Sequence, residues 1–249
     1  MCQLDIHGYS TLAIAKSAGY SDEDAVLLAW SNTETDKSLQ VNWRNVIWSN
    51  LGLYFHFLPG DPKDLVVRVD SELSRQIIGD EAICSLPPAP LGVIALGIAL
   101  HGLQDTYSHN GWVGKFSRHN VLPAWSHDKF TPSLPFPYGH SPKGREPDIA
   151  NATWYDPRTN QTINNIDRVE SALFATSQVL GLDHTPAGVS KIFANVEDYE
   201  ARKQALRELA GMPNLRFSEI RAEMLKRYGA QFKQAAAAQA TIIKKYLKG

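Results

Sequence analysis

Residues 91 to 109, Leu-Gly-Val-Ile-Ala-Leu-Gly-Ile-Ala-Leu-His-Gly-Leu-Gln-Asp-Thr-Tyr-Ser-His, constrain this chain more than any other stretch. The run starts after Pro87-Pro88-Ala89-Pro90, a strong helix-start signal. Its apolar body leads straight into His101, Asp105 and His109, spaced H-x3-D-x3-H. On a helix, successive members of that triple lie about 40° apart and one turn above the last, so all three share a stripe. Burying a carboxylate between two imidazoles is costly unless a positive group binds there, and a metal ion is the simplest such group. His101 and His109 would stand about 12 Å apart along the axis. Ligand bonds of about 2 Å cannot join both to one ion. If all three bind metal, Asp105 bridges and the site holds more than one ion. The competing reading is an Asp105 hydrogen-bonded to one histidine at a helix end that reaches solvent.

A chain of 249 residues, 43% hydrophobic and 20% charged, can fold around one large core. We read it as a single all-α, multi-helix bundle over 1–249, with a metal-site part at 1–155 and C-terminal helices at 156–249. The formal net charge of −1 gives no global field that would attract nucleic acid. Cys2 and Cys84 are the only cysteines, which excludes a disulfide framework and a thiolate zinc site. Any metal must use histidines and carboxylates. The start, Met-Cys-Gln-Leu-Asp-Ile-His, lacks a signal-peptide profile, and the longest apolar run is too short to span a bilayer. A cytoplasmic protein without a transmembrane segment is therefore expected.

The pattern predicts an amphipathic segment at Gly8–Ala18 and a helix that Ser21 caps and that ends near Trp30. Further helices are expected over Leu39–Phe57, Asp64–Ile78, about 166–181, 186–194, 196–210 and Ser218–Leu247. The lysines of the last, Lys233, Lys244, Lys245 and Lys248, read as a solvated face. Residues 111 to 160 differ. Seven of the fourteen prolines lie between Pro123 and Pro157, together with Trp125 and Trp154, and Trp112 lies just before them. This is expected to be a long ordered loop region, a type that is commonly functional.

Other candidate ligands are scattered along the chain. Asp5-Ile-His7 could chelate from an extended segment, or be a capping acid beside a surface histidine. Asp36 is a loop acid past the second helix, and His56 sits among aromatics in Leu-Tyr-Phe-His-Phe-Leu-Pro-Gly. His140 is followed closely by Glu146 and Asp148. His119, His127 and His184 read as surface or loop residues. The literal His127-Asp128 pair lies in a loop-like stretch, unlike the helical pair of HD phosphohydrolases.

Taken together, Asp5-Ile-His7, Asp36, Phe55-His56-Phe57-Leu58-Pro59-Gly60, the His101/Asp105/His109 helix, Gly139-His140, Pro147-Asp148 and Trp154 resemble a bacterial family of α-helical proteins related to zinc-dependent phospholipase C and P1-type nucleases. The resemblance covers about residues 5 to 155. It implies a phospholipase C/P1 nuclease-like fold with two or three zinc ions. Asp36, His56, His101 and Asp105 would hold one ion. Asp105 would bridge to a second, held near the N-terminus by His7 and by Asp5 in place of the family's terminal amine. His109 and His140, with Glu146 or Asp148, would hold a third.

The leading functional expectation is a metal-dependent hydrolase acting on a small-molecule phosphoester, or on a related ester or amide, through metal-activated water. Asp36 would take the proton from that water. Trp112, Tyr138 and Arg145 are candidate substrate contacts, with Trp125, Phe136 and Trp154 as further walls and Lys143 and Arg118 as further cations. Two alternatives keep the ligand cage. One is a lyase, cyclase or oxygenase using iron or manganese; the other is a non-enzymatic, metal-stabilised binding protein.

Overall fold

The computed structural model describes residues 4–39, 52–79, 90–115, 117–120, 139–140 and 143–248. The described chain is mostly helical. A π-helical turn, Asp5–Ser10, runs straight into α1, Thr11–Ser17. Next come α2, Asp22–Ser38, a second π-helical turn, Gly52–His56, then α3, Glu72–Gly79, and α4, Leu91–Ser108. An antiparallel hairpin of β1, Thr153–Asp156, and β2, Gln161–Asn164, precedes α5, Asn165–Val179. The chain ends in α6, Ala187–Asn195, α7, Tyr199–Leu209, and the long α8, Phe217–Tyr246.

The central element is α4, against which α2, α3, α5, α8 and the second π-turn all pack. Its apolar residues Ile94, Ile98, Leu100 and Leu103 share a core with Leu27, Leu28 and Trp30 of α2 and with Phe232 and Ile243 of α8. Capping sets several of the helix starts. Ser21 Oγ accepts from the Asp24 amide at 3.1 Å, with Asp22, Glu23 and Asp24 in the favourable first turn. Asp198 accepts from Ala201 in the same way at 2.8 Å.

Helix α2 approaches α4 closely at Gly97. A Cβ there would lie 2.5 Å from the Leu28 carbonyl oxygen and closer still to Ser31 Oγ. Gly97→Ala is therefore expected to destabilise by about 1–3 kcal/mol, since the two backbones must separate. A urea-unfolding midpoint unchanged from the parent would contradict that approach.

Several expectations need correction. Helix α2 does not stop near Trp30; it continues to Ser38, and Ser31 to Thr35 are buried. The polar run looked like a loop. In fact Thr33 and Thr35 turn their hydroxyls back onto the carbonyls of Ala29 and Ser31, which lets them sit inside. The first segment is not amphipathic, because every residue from Asp5 to Ala15 is buried. Asp64 to Ser71 is not helical. Leu65 and Asp70 have φ of 58° and 53°, Asp64 Oδ1 caps the Val66 amide, and Val66 and Val67 bridge to Val113 and Pro59. Of the expected Leu39–Phe57 helix, residues 40–51 lie outside the described residues. The 111–160 region ends in the first strand of the hairpin, which an all-helical reading missed. The four C-terminal helices form close to their expected bounds, and the four lysines of α8's end are exposed. No helix among the described residues is long and apolar enough to cross a membrane.

Candidate metal centre

Five histidines and three aspartates converge where α4 meets α2, the two π-turns and the short 3₁₀ turn Glu146–Asp148. They form three groups whose potential ligand atoms lie within 4.8 Å of one another: His7, His101 and Asp105; Asp36, His56 and His101; His109, His140 and Asp148. All eight were singled out in the sequence. Asp105 is fully buried at the centre. Its Oδ1 is 3.2 Å from His7 Nε2, and its Oδ2 is 3.1 Å from His56 Nδ1 and 3.2 Å from His101 Nε2. His109, which caps the C-terminal end of α4, turns to the far side, with Nε2 3.2 Å from Asp148 Oδ1. His140 Nε2 reaches the same oxygen at 3.3 Å.

The far nitrogen of each imidazole fixes its tautomer. His7 Nδ1 donates to Gln104 Oε1 at 2.7 Å, and His101 Nδ1 donates to Asn32 Oδ1 at 3.2 Å. The amide groups are oriented by their own network. Gln104 Nε2 donates to Thr11 and Thr176, and Asn32 Nδ2 donates to Thr11 and to Gln104 Oε1. His109 Nδ1 donates to the His56 carbonyl at 2.6 Å, and His140 Nδ1 to that of Gly144 at 2.8 Å. His56 is reversed: Nε2 donates to the Leu39 carbonyl at 3.3 Å. A neutral imidazole has one N–H. With that proton on an outer carbonyl oxygen, the inner nitrogens present lone pairs. His56 Nδ1 and His101 Nε2 thus face each other at 3.1 Å. Asp36 Oδ1 lies 3.9 and 3.8 Å from these two nitrogens, buried and without a hydrogen-bond partner among the described residues.

This donor set fits a cation. Two lone pairs, a carboxylate oxygen of Asp105 and an orphaned oxygen of Asp36 surround one small space, and histidine and carboxylate ligands suit zinc, iron or manganese. The outer carbonyl partners are what metal-ligating histidines ordinarily have. His101 commits Nδ1 to Asn32, so its one inner nitrogen serves one ion. Asp105, with an oxygen on each side, is the residue able to bridge.

Electrostatics favour an anionic Asp105 and neutral His101 and His109, since burial lowers both imidazoles. Burial and the neighbouring His7 push His101 down to about 4, against the pull of Asp105 and Asp36. Burial alone would raise Asp105, but His109, His101 and His56 outweigh it and hold the carboxyl well below its ordinary range. Burial likewise opposes ionisation of Asp148, and its close contacts with His109 and His140 outweigh it and hold the carboxyl below its ordinary range. In metal-free protein, the unfolded chain would protonate at His101 near pH 6.5 while the folded chain waits until about 4. Stability should therefore fall as pH drops through that window, by about 3 kcal/mol from His101 alone. Acid unfolding monitored by circular dichroism, with chelator present, checks this; flat stability between those values would contradict it.

The other expected residues lie elsewhere. Asp5 is in none of the groups; its Oδ2 accepts from Arg202 Nε at 2.8 Å, deep in the protein. Glu146 faces outward and pairs with Lys143 at 2.7 Å. Trp112 is fully buried with Phe57, Val67 and Trp154, edge-on to His140 at 6.2 Å between ring centroids, and the Arg158 guanidinium stacks 3.4 Å over its ring. Arg145 and Arg118 are exposed. Tyr138, Trp125, Phe136 and His127 lie outside the described residues. The sequence reading missed Asn32 and Gln104, whose signal was an amide beside or within a ligand helix. It also missed Asn165, which donates to the carbonyls of Glu146 (2.6 Å) and Ile149 (2.8 Å) and so fixes the turn that presents Asp148.

Fold and site together define a helical protein with three adjoining histidine–carboxylate groups, each able to hold a metal ion. The chain belongs to a family of unknown function, DUF6765, whose model matches residues 44–248. His7 and Asp36 lie before the matched residues. No curated protein and no solved structure matches the chain.

Proposed function

We propose that the protein is a multinuclear metal-dependent hydrolase, with two or three zinc ions, that acts on a phosphoester or a related ester or amide. The observation that carries this reading is the pair of imidazole lone pairs, His56 Nδ1 and His101 Nε2, 3.1 Å apart beside the orphaned oxygen of Asp36. A bound divalent ion would supply Lewis-acid polarisation and a more acidic water. The chain's residues do the rest. Asp105 and the imidazoles hold the charge in place, and Asn32 and Gln104 hold the imidazoles in one tautomer. The Asp36 carboxylate would accept the proton of the attacking water. Among the groups, Asp36 and His140 are the more accessible members, with side chains 17% and 13% exposed, so substrate would approach from those two edges. The likeness to zinc-dependent phospholipase C and P1-type nucleases belongs to this proposal and supports phosphoesters as the first substrates to try.

Elemental mass spectrometry on protein purified without chelator tests the metal. Two or three equivalents of zinc are expected, with most lost in both His101→Ala and Asp105→Ala. Protein that neither carries metal nor takes up added zinc would overturn the reading. Zinc-loaded protein should then hydrolyse an activated phosphodiester, and Asp36→Asn should slow it by about 100-fold or more. Iron or manganese in place of zinc, with no hydrolysis, would favour redox or lyase chemistry in the same cage.

A further inference from the structure

The C-terminal helices contribute no member to the three groups, yet they touch three of the segments that carry ligands. Arg202 of α7 donates from Nε to Asp5 Oδ2 at 2.8 Å. Arg221 of α8 grips Glu34 with two bonds of 2.8 and 2.7 Å. Gln239, also of α8, donates to the Tyr54 carbonyl at 3.1 Å. Asp5, Glu34 and Tyr54 stand two residues before His7, Asp36 and His56 respectively. The three contacts thus fall at one offset on three segments that are far apart in sequence.

Each contact is built rather than incidental. Arg202 is 2% exposed, and its Nη1 is pinned by the carbonyls of Val196 (3.0 Å) and Glu197 (2.6 Å), so it cannot swing away from Asp5. Glu34 is 1% exposed, a burial that a carboxylate tolerates only with a partner such as Arg221. Gln239 is equally buried. The contacts fall on the segments that carry the ligands themselves. Two are π-helical turns, and the third is the last turn of α2.

We infer that α7 and α8 set the positions of His7, Asp36 and His56 in the candidate metal centre, with Arg202, Arg221 and Gln239 as positioning residues. This rests on the metal reading above. The group of His109, His140 and Asp148 is held differently, by Asn165 and by Arg168, whose Nη1 donates to the Ser108 carbonyl at 3.1 Å. It therefore serves as an internal control. Loss of a partner bonded directly to a ligand typically weakens metal affinity 10- to 100-fold, and a loss of that order is expected where the contact holds the ligand's own segment.

The test is zinc titration of metal-stripped full-length protein against a chromophoric chelator, with cobalt(II) absorption as a second readout of ligand geometry. Arg202→Gln should weaken one equivalent by 10- to 100-fold and leave at least one at its parent affinity, with Arg202→Lys recovering part of the loss. Arg221→Gln should weaken a different equivalent and change the cobalt spectrum. A parallel loss of all equivalents would mean only general destabilisation and would overturn the inference. So would uptake in both variants identical to the parent. A parent that binds neither zinc nor cobalt would instead sink the metal reading itself, and this inference with it. Should Arg202→Gln fail to fold, Arg221→Gln decides, because that arginine is already 38% exposed.

Discussion

Stripping the protein of metal is expected to lower its melting temperature by roughly 8–16 °C. An ion present at a thousand times its dissociation constant contributes on the order of 4 kcal/mol of stability. For a chain of this size each kcal/mol moves the midpoint by roughly 2–4 °C. Here the ligands expected in the first two groups come from a π-turn, from α2, from a second π-turn and from α4, and only His101 and Asp105 share an element. Removing the ion leaves lone pairs opposed at 3.1 Å and a buried anion without its counter-charge. The effect should reverse on adding zinc, as read by differential scanning calorimetry. An unchanged midpoint after verified stripping would mean that the histidines and aspartates are a self-sufficient hydrogen-bond network.

Arg202→Ala is the second large effect. The arginine and Asp5 are both buried, and among the described residues Asp5 Oδ1 has no side-chain partner. Burial raises the Asp5 carboxyl even with Arg202 beside it. Deleting the cation leaves that carboxylate isolated and should cost about 3–5 kcal/mol. The double variant Asp5→Ala/Arg202→Ala should be distinctly more stable than Arg202→Ala alone, because no unpaired charge remains. Chemical denaturation of the four proteins in a double-mutant cycle measures this. Additive losses would show that the pair is not coupled.

The sequence made some features legible and hid others for identifiable reasons. His101, Asp105 and His109 were readable because helical spacing alone puts them on one stripe. His140 and Asp148 could be named as neighbours, but the choice between Glu146 and Asp148 needed the 3₁₀ turn that Asn165 locks. Asp5 pairs with an arginine 197 residues away, and nothing local in the sequence distinguishes a ligand from half of a buried ion pair. The end of α2 was misplaced for a related reason. Ser31 to Thr35 look like loop residues until the polar interior that receives Asn32 and Glu34 is known. The lower boundary of α3 was hidden by left-handed residues that are neither glycine nor asparagine, Leu65 and Asp70.

Both π-turns carry a candidate ligand, His7 in one and His56 in the other. Such a turn amounts to one extra residue in an α-helix, and each residue rotates the side chains that follow by about 100°. The aim of these two imidazoles is therefore a matter of counting as much as of chemistry. Two chains could share every ligand identity and still differ at this centre through a single deleted position, a change that a comparison of residue types alone would score as trivial.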